Sequence, residues 1–197
     1  LEIDTERPLK LRASFLPELK PMWPASFGGQ SSSWVAAERL FVLNEGLRQH
    51  AAVIGSPAFA RASEQVGHQL PDRTMLVEMD IAPEIAKSRI VPVVFAGSAK
   101  GSAEARKVYR ETLGALPAIL RESDEYYRDF AARTFTLETP VPELNHAFQW
   151  AKFALEKGWT CNEGVGCGLV AGFGPSGASE RPGFAWYFGG DAFMNSW

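Results

Sequence analysis

Apolar and polar side chains alternate along several short stretches of the first hundred residues. Residues 9–16 read Leu-Lys-Leu-Arg-Ala-Ser-Phe-Leu, the period of a half-buried strand. The same period returns over 74–81, where Met75, Val77, Met79 and Ile81 fall on one face. Leu40, Phe41, Val42 and Leu43 predict a strand within 37–46, and 51–54 predict a short one that ends at Gly55-Ser-Pro57. Residues 89–96 carry the β-branched run Ile-Val-Pro-Val-Val, with Pro92 placing that strand at an edge or bulge. The polar residues 30–33 read as a loop, and 58–73 give no clear pattern. Pro17, Pro21 and Pro24, with Met22, Trp23 and Phe27 among them, read as a turn or an edge crossing.

After Ser98 the period changes to that of a helix. Val108, Tyr109, Leu113, Leu116, Ile119, Leu120 and Tyr127 predict one long amphipathic helix over 103–134, with Ser102 as N-cap and a kink at Pro117. Glu104, Arg106, Lys107, Arg110 and Glu111 form its solvated face. A short extended link over 135–138 comes next. Pro142 then opens a second helix, with Leu144, Phe148, Ala151 and Leu155 in one stripe and Gly158 as terminator. Trp150 lies off that stripe and is expected to pack on a neighbouring element, while His146 reads as structural. Strands followed by helices imply an α+β fold or two adjacent domains.

Composition adds limits. The chain is 46% hydrophobic and 22% charged, the balance of a globular protein. A net charge of -3 shows no electrostatic footprint for nucleic acid. No apolar run approaches the ~20 residues of a membrane-spanning helix. Cys161 and Cys167 stand six apart in a Gly-rich stretch: a bridge suits an exported chain, free thiols a cytoplasmic one. No nearby His completes a zinc site with them.

Candidate chemistry gathers in residues 168–197. Glycines and prolines there oppose a continuous helix or strand, while the aromatic rings oppose a disordered linker. An ordered loop that presents aromatic faces fits both facts. Trp186, Tyr187, Phe188 and Asp191 suit a sugar: the C–H face of a pyranose packs on a ring, and a carboxylate accepts from two hydroxyls. The bland alternative makes the rings core and Asp191 the cap of a helix beginning at Ala192. Gly174-Pro-Ser-Gly-Ala lacks the spacing of a nucleophile elbow, and no Gly-Lys-Ser/Thr forms a phosphate loop.

The run Arg181-Pro-Gly-Phe-Ala-Trp-Tyr-Phe-Gly-Gly-Asp191-Ala, preceded by Gly168-Leu-Val-Ala-Gly-Phe-Gly174, resembles a motif of bacterial glycogen-debranching, amylo-α-1,6-glucosidase-like proteins. These belong with glucoamylases among the inverting glycosidases built on a barrel of six helical hairpins. Pro21-Met-Trp-Pro-Ala-Ser-Phe-Gly-Gly29 and Ile54-Gly-Ser-Pro57 match more loosely. The resemblance implies an antiparallel β-sandwich part over 1–98, a linker helix over 99–138, and the first hairpin of an (α/α)6 barrel over 139–197. It implies that Asp191 binds hydroxyls of an α-glucan at the cleavage point. The residues themselves offer Trp186 as a stacking face and Arg181 as a loop anchor or substrate contact. Gly190 stands where the family commonly has an Arg, which leaves half of that clamp without a counterpart. No cofactor or metal is implied.

Inverting hydrolysis uses an acid and a base ~6.5–9.5 Å apart, and the resemblance places both beyond Trp197. The chain, which starts at Leu1 and stops just after the motif, is therefore expected to be a fragment of a larger enzyme and to partner the remainder of its own polypeptide. A non-catalytic carbohydrate-binding or structural module is the alternative.

Overall fold

The computed structural model describes residues 1–17, 19, 30–46, 49–62, 74–86, 90–162, 164–172 and 186–189. The fold is mixed α/β with antiparallel sheets. It divides into two compact units, and the boundary between Ile119 and Leu120 falls inside a helix.

In the first unit, β1 (Leu9–Phe15), β6 (Met75–Ile81) and β5 (Phe59–Ala62) form a three-stranded sheet in the order β1-β6-β5. β2 (Gln30–Val35), β3 (Leu40–Glu45), β4 (Ala51–Gly55) and β7 (Val94–Ser98) form a four-stranded sheet in that order. The short helix α1 (Pro83–Ala86) comes after β6. One face of the four-stranded sheet contributes Phe41, Leu43 and Ile54 to a core shared with Met75, Val77, Met79 and Ile81 of the other sheet. Its opposite face, with Leu40, Val42, Val53, Val94 and Ala96, packs on Ala105 and Tyr109 of α2 (Ser102–Gly114). β3 is thus covered on both sides, which is why it reads as an unbroken apolar run, whereas β1 and β6 alternate.

The polar stretch expected as a loop is strand β2, a correction with a clear cause. The Gln30 side chain is buried, and its amide donates to the Pro17 carbonyl (2.5 Å) and accepts from the Leu19 N–H (2.9 Å). A side chain spent on backbone groups inside the protein gives no apolar signal. The strand expected over 89–96 lies further on, at Val94–Ser98. Val91 is buried but bonds instead to the Leu1 carbonyl, and Pro92 sits just ahead of the edge strand. The residues from Pro21 to Gly29, with Trp23 among them, lie outside the described residues.

The expected long helix is two: α2, and α3 (Leu116–Arg133). The break falls at Ala115, whose N–H closes α2 on the Glu111 carbonyl. Pro117 therefore occupies the first turn of α3, where a missing N–H costs nothing. Ser102 is the first helical residue rather than the N-cap; Gly101 takes that position at φ 94°. Arg106 and Arg110 both pair with Glu38 in the β2–β3 turn, which fixes α2 over that end of the sheet.

In the second unit, α3 runs antiparallel to α4 (Pro142–Gly158), since Tyr127 meets Phe153 and Phe135 meets Phe148 (centroids 5.1 and 5.7 Å apart). Residues 135–138 are a link outside helix and strand, and Asn145 on α4 takes the N–H and carbonyl of Thr139 at 2.9 and 3.0 Å. The antiparallel hairpin of β8 (Trp159–Asn162) and β9 (Gly166–Leu169) begins directly after α4. Trp150 is 67% exposed and meets Phe153 of its own helix at right angles, so the packing expected on a neighbouring element does not appear among the described residues.

Two measurements check this architecture. A Cβ on Gly55 would lie 2.7 Å from Leu40 Cβ and 2.8 Å from the Tyr109 ring. Gly55→Ala is therefore expected to cost about 1–3 kcal/mol in urea unfolding, as overpacking does. Glu78 on β6 bridges Arg12 of β1 (3.1 Å) and Arg61 of β5 (2.8 Å). Hydrogen bonds from Arg12 and then Arg61 hold its carboxyl below the ordinary 4.5. A depressed folded value means the pair stabilises above the unfolded value and fades as pH falls through the folded one. The melting temperature of the parent should thus fall more steeply below pH 4.5 than that of Glu78→Gln.

Candidate functional site

The β8–β9 hairpin supports residues 186–189, the part of the run from Arg181 to Asp191 that the structure describes. Cys161 faces Cys167 across the strands, with Cα atoms 4.0 Å apart, and the two form a disulfide. The turn beyond them uses Gly164 at φ 81°, and Gly166 opens β9 at φ 110°, both values suited to glycine. Side chains alternate across a strand. Trp159, Cys161, Cys167 and Leu169 therefore share one face of the hairpin, and Thr160, Asn162, Gly166 and Gly168 share the other.

Tyr187 lies on that second face. A Cβ at Gly168 would meet its ring at 3.3 Å, so the missing side chain is what lets the ring approach. The Tyr187 hydroxyl donates toward the Thr160 carbonyl (3.1 Å) and the Gly166 carbonyl (3.3 Å), and accepts from Asn162 Nδ2 (3.2 Å). Trp186 is half-buried; its carbonyl accepts the N–H of Ala171 (3.1 Å) and of Phe188 (3.0 Å). Its indole sits 5.4 Å from the Tyr187 ring, tilted by 52°.

Of the residues expected to contact substrate, Trp186 is therefore placed, while Asp191 and Arg181 lie outside the described residues, as does Ala192. Tyr187, read from the sequence only as one more ring, is bound by its hydroxyl to both strands of the hairpin. The signal was the alternation Gly166-Cys-Gly168, which clears one face of a strand for an aromatic ring.

The opposite face of the hairpin borders an open cleft of about 420 Å³, lined by Phe130, Phe135, Phe148, Leu155, Trp159 and Leu169. At its wall the Lys152 ammonium donates to the Phe135 carbonyl (2.7 Å) and lies 5.8 and 5.9 Å from the Phe130 and Phe148 ring centroids. Glu156 accepts from the Tyr126 hydroxyl, and this bond holds the phenol above its ordinary value. The Thr134 hydroxyl donates to the Phe130 carbonyl (2.6 Å), so the three polar side chains of the lining, Thr134, Lys152 and Glu156, are all engaged within this unit. Among the described residues no group of His, Cys, Asp and Glu could hold a metal ion, and no helix is long and apolar enough to cross a membrane.

Gly166→Ala places a side chain at φ 110°, so it should destabilise the second unit by about 1–2 kcal/mol or more in denaturant titration. An unaltered transition would show that this backbone conformation is not required. No family model, no curated protein and no solved structure matches the chain.

Proposed function

We propose that this chain is part of a glycoside hydrolase acting on α-linked glucans, inverting and of the debranching or glucoamylase type. In this reading it supplies a β domain and part of the sugar-binding site. The observation that carries the reading is the run Trp186-Tyr-Phe-Gly-Gly-Asp191, a carboxylate five residues from an indole. The hairpin adds support, because it holds the Trp186 main chain through Ala171 and the neighbouring Tyr187 through its hydroxyl. A ring held in advance loses little freedom when a pyranose stacks on it.

Asp191 accepts hydroxyls of the sugar at the cleavage point, Trp186 offers the stacking face, and Arg181 anchors the loop or meets the substrate. The acid and base of the inverting pair lie on residues beyond Trp197, and no cofactor or metal enters. The two sheets around one core are read as a β-sandwich part and the helices over 99–138 as the linker. Residues 139–197, from α4 onward, are read as the first hairpin of an (α/α)6 barrel. Support for this division is the shared core of the sheets and the antiparallel packing of α3 on α4.

A second reading, a carbohydrate-binding module without catalysis, draws on the same hairpin. What favours it is that the partners of Trp186 among the described residues, Ala171, Tyr187 and Phe188, all belong to this chain.

Calorimetric titration with maltooligosaccharides separates the readings. Tight binding by this chain alone favours the module; weak or absent binding that appears when the acid- and base-bearing residues are joined to it favours the enzyme. In that longer polypeptide Asp191→Ala should abolish turnover with a nearly unchanged melting temperature, and Trp186→Ala should weaken binding at least about tenfold. Full turnover by Asp191→Ala would refute the role given to that carboxylate.

A further inference from the structure

We propose that Tyr187 is a positioning residue that docks Trp186 on the β8–β9 hairpin, and that the Cys161–Cys167 disulfide makes this docking sensitive to thiols. Its link to sugar rests on the reading above; the docking itself does not.

The geometry places the two devices back to back. The disulfide joins β8 to β9 on one face, at the pair Cys161–Cys167. On the other face the Tyr187 hydroxyl reaches Thr160 and Asn162 of β8 and Gly166 of β9, the residues that bracket that pair. The hydroxyl keeps these partners within hydrogen-bond distance, sharing its one proton between the two carbonyls, only while the two strands keep their register. Each strand has four residues, and a two-stranded ribbon of that length is marginal in water without a further tie. Gly164 in its turn and Gly166 at the start of β9 take positive φ, which favours the bend but does not fasten the strands. The disulfide is that tie. Trp186 is then held through its neighbour: its carbonyl accepts the Ala171 N–H just past the end of β9.

Both cysteines are exposed, so a small dithiol can reach either sulfur. One thiolate of the dithiol attacks a cysteine sulfur, forms a mixed disulfide and releases the other cysteine as a thiolate. The second thiolate of the reagent then displaces the first cysteine. The dithiol leaves as a cyclic disulfide, and its two electrons and two protons end on Cys161 and Cys167. The strands lose their covalent tie, the partners of the Tyr187 hydroxyl separate, and the Ala171–Trp186 bond opens more often.

Amide hydrogen exchange of the 197-residue chain, read at Ala171 and Phe188, tests this directly. In the parent, dithiothreitol should accelerate both amides about five- to tenfold, the scale of losing one or two net hydrogen bonds. Tyr187→Phe, which keeps the ring, should do so without reductant. The amides of β3 should be unchanged in both cases, which separates docking from general unfolding. Where maltotriose binds the parent, Tyr187→Phe and reduction should both weaken it at an unchanged melting temperature of the first unit. Equal Ala171 exchange in Tyr187→Phe and parent overturns the assignment of Tyr187. Equal exchange in oxidised and reduced parent overturns the thiol sensitivity. A parent that binds no maltotriose would count against the self-sufficient module alone, and the exchange rates would still decide the docking.

Discussion

The first unit depends on burying β3 from both sides. Leu40 and Val42 face α2 while Phe41 and Leu43 face the second sheet, and all four are almost wholly removed from water. Each such side chain contributes about 1.5–3 kcal/mol of transfer free energy. Phe41 alone meets Phe15 and Trp34 at centroid distances of 5.5 and 4.9 Å. The Glu38 contacts with Arg106 and Arg110 are half-exposed by comparison and set the position of α2 rather than its adhesion.

The second unit is organised differently. Its helical pair carries stacked rings rather than a closed apolar core, and Phe130 is the one buried aromatic residue described on it. Phe135, Trp150 and Trp159 remain more than half exposed. Order at the hairpin comes from a covalent bridge on one face and a tyrosine hydroxyl on the other. The hairpin is tied by these groups rather than by an apolar core of its own. Trp186 is held on it through its main-chain carbonyl.

Much of the first unit was legible because one-sided burial writes itself as alternation, as in β1 and β6. The features that escaped had a different physical basis. Gln30 is buried through an amide that completes the backbone at Pro17 and Leu19, and polarity hid the strand. Pro117 marked a disruption correctly, but the helix stops two residues earlier, since proline is tolerated in a first turn and not in the turn before it. Of the site, the sequence offered Trp186 and Asp191 as candidates, and the structure describes the first of them. The sequence did not expose the support, because Tyr187 finds its partners more than twenty residues away in the chain. The disulfide stood as one of two open readings, since spacing alone does not fix whether two cysteines face each other.

The central claim is that the Trp186 indole, held on the β8–β9 hairpin, meets an α-glucan. Nitrogen-labelled indole resonances followed during titration with maltotriose test it most directly, with Trp186 assigned through Trp186→Phe. The account predicts that the Trp186 indole N–H shifts with the α-linked trisaccharide and stays in place with its β-linked counterpart. A Trp186 resonance that ignores maltotriose, in the presence of whatever residues complete the site, would contradict it.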